Sequence, residues 1–536
     1  MTRHFLLLPT LLIPLALAGC AKDGIDPDEV GDGDGDGDST DTGTDTDEPA
    51  NWVPALGIAI TEVEANQGTR VPIGQANGEW VDGAGRNTFL TSSRDTLIRV
   101  HFTVDPGWTA HDVRARLTLT HPSLTEPLVR EQDLTVEGDS TPTSLTRTFY
   151  FGLIEAEGET LPGANYQIEL FEKDTEQNTA LPELANVTPA SGPAPVGFES
   201  DPMQMKIVLV PIHYTGDGKD MLPDLGQENL DIMINRMFEE NPLQEIIYEV
   251  RAEPVPYTQT LNQLGSLLPI MAQTKQADGA DANVYYHAII TTGCLIEGCA
   301  SSGTVGIANL PSDSKNDSLM RVAASILYDV NSTADTFVHE VGHNQGLSHV
   351  YCPDGMSAGN DPAYPYPDGE IGNWGFGIRN FSLHNPTASH DYMTYCGNTW
   401  PSDWTFNKTY LRIRELTSWD FEGAPAPEDD GWMGEELLVG ALYPDGSREW
   451  FTIAGKVDPE EIRPDESLEF QVDGQVVAMP TIVRTLSDDQ TQWVYAPLPT
   501  ERFSDIDAIA HVRAGERSTV EPASVRLALP DTIAAP

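Results

Sequence analysis

Residues 339–349 read HEVGHNQGLSH, and the spacing of the three histidines decides how the chain around them must fold. His339 and His343 stand four apart, so on a helix their imidazoles leave from one face about a turn apart. Two nitrogens placed this way can share one zinc ion at about 2.0–2.1 Å each. Glu340, beside the first histidine, can reach a water at that ion without serving as a ligand. Gly346 can take positive φ, which ends a helix and turns the backbone sharply. That turn brings His349 round as the third ligand. Three protein ligands leave one position open, the arrangement of a catalytic centre with one zinc and not of a closed structural site. A helix carrying three satisfied surface histidines is the alternative, but it gives no reason for five fixed positions to coincide in a chain with 12 histidines.

The flanks agree with a helix. Upstream, Ser332, Thr333 or Asp335 can cap it, and Phe337, Val338 and Val341 give it an apolar side. Further out, Lys206–Ile212 is a continuous apolar strand. Helical spacing over Asn229–Glu240, a strand over Ile246–Val250, a helix over Leu261–Ala272 and a strand over Val284–Ile290 follow, with helical character again over Asp317–Val330 and Thr333–Gln345. Such alternation predicts an α/β (α+β) layer structure. Before it, from Leu56 to about Glu172, apolar residues recur with period two: Val113, Ala115, Leu117 and Leu119 alternate with polar neighbours, as in a β-sandwich. Residues 174–204 read as a linker. After Trp419 an acidic, Pro-containing hinge (423–430) precedes more short strands, with Val472-Asp-Gly-Gln475 as a two-residue hairpin. The chain therefore reads as multidomain: a catalytic domain over 201–422, flanked by two β-sandwich-like domains over 51–200 and 423–536.

The fixed positions His339, Glu340, His343, Gly346 and His349 resemble the signature of the metzincin clan of zinc metallopeptidases. The clan also has a methionine-containing turn beneath the metal, and Ser389-His-Asp-Tyr-Met393-Thr-Tyr395 is similar to it. The resemblance implies that Met393 floors the three histidines and that Tyr395 stands where some members carry a tyrosine contacting zinc or the oxyanion. Ordinary core packing is the alternative for Met393. Clan members bind peptide along an antiparallel edge strand above the active-site helix, which implies that role for Gly303–Asn309 (GTVGIAN), through main-chain hydrogen bonds. The resemblance covers roughly 205–420, and only the two motifs are specific. Residues 369–377 (GEIGNWGFG) are weakly similar to the secreted mucin-cleaving metzincins of enterobacteria.

Charge and cysteine usage set the surroundings. With 30 Lys+Arg against 83 Asp+Glu, the formal charge is −53. A surface this negative repels phosphate backbones, so no nucleic acid is expected as a partner, and the charge favours a soluble monomer. Residues 1–20 hold Arg3 and then an apolar run, Phe5–Ala18, about 21 Å long as a helix and so short of a bilayer. It reads as an export signal and not as a membrane helix. Its ending, Leu17-Ala18-Gly19-Cys20, resembles the bacterial lipoprotein signal, which implies lipidation of Cys20 and membrane attachment through it; an ordinary cleavage site with a coincidental cysteine is the alternative. Residues 21–50 have 12 acidic side chains and one basic one and read as a disordered tether. Asp32, Asp34 and Asp36 begin like a calcium loop, but its twelfth position is Gly43 where a glutamate is needed, so no specific motif supports calcium. Four further cysteines suggest two disulfides. Of three pairings, Cys294–Cys299 with Cys352–Cys396 is preferred; zinc binding by these thiols is the alternative, without a CxxC spacing to support it.

These readings combine into an expectation: a lipid-anchored, exported zinc endopeptidase of the bacterial cell envelope, on an outer membrane or released, acting on extracellular proteins or glycoproteins. Glu340 is the general base, with Tyr395 assisting. The competing reading is a surface adhesion or carbohydrate-binding lipoprotein with an inert peptidase-like domain, against which the presence of both Glu340 and His349 argues. A third is self-processing, with 51–200 as a pro-segment; those residues contain no cysteine to cap the metal. His213 and His287 read as satisfied core or rim histidines, His384 and His390 as surface residues with substrate contact as the alternative, and the tryptophans 374, 400 and 404 as packing with a substrate wall as the alternative; Asp354, Asp361 and Asp368 could hold calcium, but their spacing matches no loop, so all are left as structural residues.

Overall fold

A computed structural model describes residues 53–173, 186–292, 304–353, 359–421, 435–500 and 502–528. Cys20, the segments expected as signal and tether, Cys294, Cys299, Gly303, Asp354 and the hinge expected at 423–430 lie outside the described residues. No described helix is long and apolar enough to cross a membrane.

Period-two alternation builds the first unit. One sheet runs Glu79–Trp80, Arg70–Gln75, Ile58–Asn66, Thr96–Val104 and Phe149–Leu153; a second runs Val187–Thr188, Asn165–Glu172, His111–Thr120 and Leu128–Val136. Val113, Ala115, Leu117 and Leu119 point into a core shared with Val63, Ile98 and Phe149 of the other sheet. Their neighbours Arg114 and Arg116 face outward and pair with Glu131 and Asp133. The segment read as linker is in part structure: Val187–Thr188 and Ala194–Pro195 pair with Asn165–Glu172, and Phe198–Glu199 pairs with Leu90–Thr91.

The second unit holds the site. Its strands are β1 (Gln204–Tyr214), β2 (Glu245–Val250), β3 (Val255–Tyr257), β4 (Val284–Ile290), β5 (Gly306–Ala308) and β6 (Val322–Ile326). They lie in the order β2-β1-β4-β6-β5, with β3 on the far end of β1. All pairings are parallel except β5 with β6. Helices are α1 (Gln227–Glu240), α2 (Leu267–Ala277), α3 (Val330–Asn344) and α4 (Asp403–Ser418). β1 reads as unbroken apolar sequence because both faces are covered. Met205, Ile207 and Leu209 meet α1, α3 and α4, while Val208, Val210 and Ile212 meet α2 on the opposite side.

Two local expectations need correction. Residues 317–330 are not a helix: a short 3-10 turn, Lys315–Met320, leads into strand β6. Val322-Ala-Ala-Ser-Ile326 is buried throughout, and an all-buried strand has no polar face to reveal its period. The cap of α3 is Asp329, whose carboxylate accepts from Ser332 N–H at 2.9 Å, three or more residues before the candidates named above.

The last unit is one antiparallel sheet of seven strands over Glu435–Val520. Asp473 and Gly474 both have positive φ between Arg463–Val472 and Gln475–Thr485, which is the two-residue turn the Asp-Gly pair demands. One face of this sheet is not separate from the second unit. Leu437, Val439, Phe451, Ile453, Ile482, Trp493 and Tyr495 join the core formed by α2 and the underside of β1 and β4. At the other seam, buried Arg94 donates to the carbonyls of Gln67, Leu243 and Phe238, and Trp400 Nε1 donates to Gly68 O at 2.6 Å. Residues of 369–377 lie on that seam: Arg70 N–H donates to Trp374 O, and Asn373 donates to Arg70 O.

Candidate active site

α3 delivers His339 and His343 from one face, and its end delivers His349. The end is built at Gly346, φ +83°, with Gly346 N–H donating to His343 O and Leu347 N–H to Gly342 O. A left-handed residue here lets the last carbonyls of the helix keep partners while the chain reverses. All three histidines are buried. His343 Nε2 lies 3.1 Å from His339 Nε2 and 3.2 Å from His349 Nε2.

The donor set tests whether a metal fits. His339 Nδ1 donates to Tyr392 O and His343 Nδ1 to Leu347 O, each at 2.7 Å. With the proton on Nδ1, Nε2 carries a bare lone pair. Converging lone pairs at this separation repel unless a cation lies among them, and two ligands of a tetrahedral zinc are about 3.3 Å apart. Burial also holds the rings neutral: His339 is pushed down to about 3 and His343 well below its usual range. The residues fit one zinc ion.

Around this centre the sequence-derived residues fall as follows. Glu340 is buried, its carboxylate against Gly306 and Ser487, and burial pushes its pKa well up. Met393 is fully buried in the core under α3. Tyr395 is half exposed, with its ring 4.7 Å from His349 and 5.7 Å from His339. Cys352 and Cys396 form a disulfide, tying the segment after His349 to the methionine turn. Closing a 44-residue separation removes about 4 kcal/mol of unfolded-chain entropy in the loop-closure picture.

Most described residues of the set left as structural have partners of their own, and Asp361 also reaches the triad's backbone, its N–H donating to His349 O at 2.8 Å. His213 pairs with Asp220, His287 is buried against Ser325, and His384 stacks on Trp400 at 3.8 Å. His390 bonds Gly397 O, and Trp404 packs on Tyr364 and Lys408. Asp361 is paired to Lys408 at 2.8 Å.

Four residues escaped the sequence reading. Asp391 is fully buried; it accepts from Met393 N–H, Ser402 N–H and Ser402 Oγ–H, so it fixes the turn whose Tyr392 carbonyl orients His339. An aspartate two residues before a turn methionine is a local signal that could have found it. Gly342 lies in α3 where an added Cβ would stand 2.5 Å from Met393 Sδ and 3.0 Å from the Tyr392 ring. Gly342→Ala should therefore lower the melting temperature of metal-free protein by an overpacking cost of about 1–3 kcal/mol and weaken zinc binding. An unchanged melting curve and unchanged zinc affinity would show that the turn does not press on the helix. Ser487 and Asp489 come from the C-terminal sheet. Ser487 lies beside Glu340, and Asp489 Oδ2 lies 3.5 Å from His349 Nδ1. No local pattern marks either, because the fold alone brings them to the site.

Residues 243–350 match the reprolysin-like metallo-peptidase family M12B, and residues 324–407 match the peptidase M66 family. A comparison with curated proteins gives no match. Among solved structures, a calcium-binding mutant of Bacteroides uniformis beta-glucuronidase 2 is similar at 10% identity and a TM-score of 0.12, over 44% of this chain. The alignment spans about a quarter, 24%, of that chain, and likeness at this level carries no argument. The two family matches overlap on residues 324–350, which contain α3, its glutamate and the bend to His349. Over residues 243–407 the two matches support a metzincin-type zinc metallopeptidase.

Proposed function

We propose that the chain is a lipid-anchored, exported zinc endopeptidase that cleaves extracellular proteins or glycoproteins, with His339, His343 and His349 holding one ion. The reading rests on one observation: three buried imidazoles turn their Nε2 atoms toward one point, those of His339 and His343 left bare because Nδ1 donates to a carbonyl, with a buried carboxyl group on the residue beside His339. Zinc held there supplies a Lewis acid that makes water more acidic and stabilises charge on a carbonyl oxygen. Glu340 takes a proton from water as the oxygen adds to the scissile carbonyl carbon, and gives that proton to the amine nitrogen as the C–N bond breaks. Burial raises its pKa, which suits a carboxyl that must accept a proton and release it within one turnover. The Tyr395 phenol donates a hydrogen bond to the oxygen that gains charge. The strong negative charge and the Cys352–Cys396 disulfide support an exported protein; Cys20 is the proposed anchor.

The test is a cleavage profile of the zinc-loaded full chain on mixed peptides and mucin-type glycoproteins, with Glu340→Gln as the blank. Cleavage by the wild type and none by the blank supports the reading; equal products from both refute it.

Asp489 holds the outer nitrogen of His349 in this scheme. Asp489→Asn keeps the shape, loses the charge, and should weaken zinc binding by about tenfold, the low end for partners of metal ligands, since the contact is long. A chelator competition that finds no change would remove Asp489 from that role.

A further inference from the structure

The loop Leu486–Thr491 (LSDDQT) joins strands Gln475–Thr485 and Gln492–Pro497 of the C-terminal sheet, yet it ends on the rim of the active site. Its contact with β5 is specific. In the β5–β6 pair, Ile326 N–H donates to Val305 O at 2.9 Å and Asn309 N–H to Val322 O at 3.3 Å, with Ile307 opposite Ala324 between them. By the alternation of antiparallel pairing, Gly306 and Ala308 direct their main-chain groups away from β6, where a further strand would bind. At Ala308 both groups are taken. Its N–H donates to Ser487 Oγ at 2.9 Å, and its carbonyl accepts from Ser487 N–H at 3.0 Å. The same hydroxyl donates to Glu340 Oε2 over a long 3.4 Å. Ser487 thus sits on the edge of β5 as a residue of an added strand would, beside the carboxylate that works on the scissile bond.

The base of the loop is firmly rooted. Ile482, Leu486, Trp493 and Tyr495 belong to the core shared with α2 and β1. Arg484 pairs with Asp317 at 3.0 Å, and Gln273 of α2 donates to Thr452 O at 3.0 Å. Lifting the loop would unpack side chains whose burial amounts to much of the stability margin of a domain, more than main-chain pairing with a peptide returns. The loop is therefore built as a wall and not as a plug that substrate displaces.

We infer that Leu486–Thr491 is the fixed end wall of the substrate cleft, closing the binding edge at Ala308 and leaving Gly306 as the pairing station. The inference rests on the peptidase reading and deepens it. A peptide antiparallel to β5 runs from the Ala308 end toward Gly306, so its residues before the scissile bond meet Ser487 and its residues after the bond pass Gly306 freely. The enzyme holds extended chain mainly by the segment that follows the cut, and takes peptides cleaved close to a free N-terminus or at a bend.

Two measurements on the full chain test this. The first is hydrogen exchange at Ala308 without any peptide. The wall requires Ala308 N–H to exchange at least about 100-fold slower than an open amide, with and without zinc, and Ser487→Ala to speed it by about tenfold. Exchange at the open rate in the wild type overturns the wall. The second takes a cleaved peptide and trims it one residue at a time from either end. Trimming after the cut should lower kcat/KM by about tenfold or more, and trimming before it by less than about threefold. The opposite pattern overturns the inference. If no peptide is cut at all, the peptidase reading alone falls, and hydrogen exchange still decides whether the wall is seated.

Discussion

Glu340→Gln keeps zinc and the fold and lowers peptide hydrolysis by at least about 10³-fold, within the range general acid–base groups supply. The substitution preserves shape, which matters in this position. A Cβ on Gly306 would meet Glu340 Oε1 and the Thr336 methyl group, so the side chain lies in a slot with no room for a larger one. An amide fills the same slot and can still accept from the Ser487 hydroxyl. It cannot take a proton from water or return one to the amine. Stability should not suffer, because replacing a buried carboxyl whose pKa burial has pushed well up by a neutral amide removes a desolvation cost. Three measurements on one preparation separate the outcomes: bound zinc per chain, the melting temperature, and turnover of a fluorogenic peptide. Wild-type turnover with zinc retained would take Glu340 out of the chemistry. Loss of zinc along with turnover would mean that the carboxylate helps to hold the ion.

How much of this was legible follows from where each residue finds its partners. The three histidines, Glu340 and Gly346 could be placed from sequence because a helix and one left-handed residue convert an 11-residue spacing into three-dimensional geometry. Met393 and Tyr395 came from a second short motif, which packs Met393 in the core under α3 and sets the Tyr395 ring beside His349. Periodicity located the outward-facing Arg114 and Arg116 and the core-facing residues between them. It failed at Val322–Ile326, where every side chain is buried and no alternation survives. The largest gap is Ser487 and Asp489. They lie on an ordinary Asp-rich hairpin and reach Glu340 and His349 only because the C-terminal sheet shares its core with α2. Contacts of such long separation leave no trace in local pattern.

His349→Ala should lower zinc affinity on the order of 10³-fold or more, beyond the 10–100-fold typical for losing a ligand's outer partner. His349 is the informative ligand to remove, since it stands on the bend and not on α3, and so reports on the geometry that Gly346 creates. His339 and His343 then remain 3.1 Å apart, enough to catch an ion weakly but with one anchor fewer. The variant should fold, because the segment stays tied by Val350 N–H to Met393 O and by the Cys352–Cys396 disulfide. Asp489 offers an internal check. If its carboxylate acts by holding the His349 ring, Asp489→Asn costs affinity in the wild-type background and nothing further once His349 is alanine, the signature of two residues serving one contact. An equal cost in both backgrounds would show that Asp489 acts on the ion's field directly, and unchanged zinc affinity in His349→Ala would show that the bend does not carry a ligand at all.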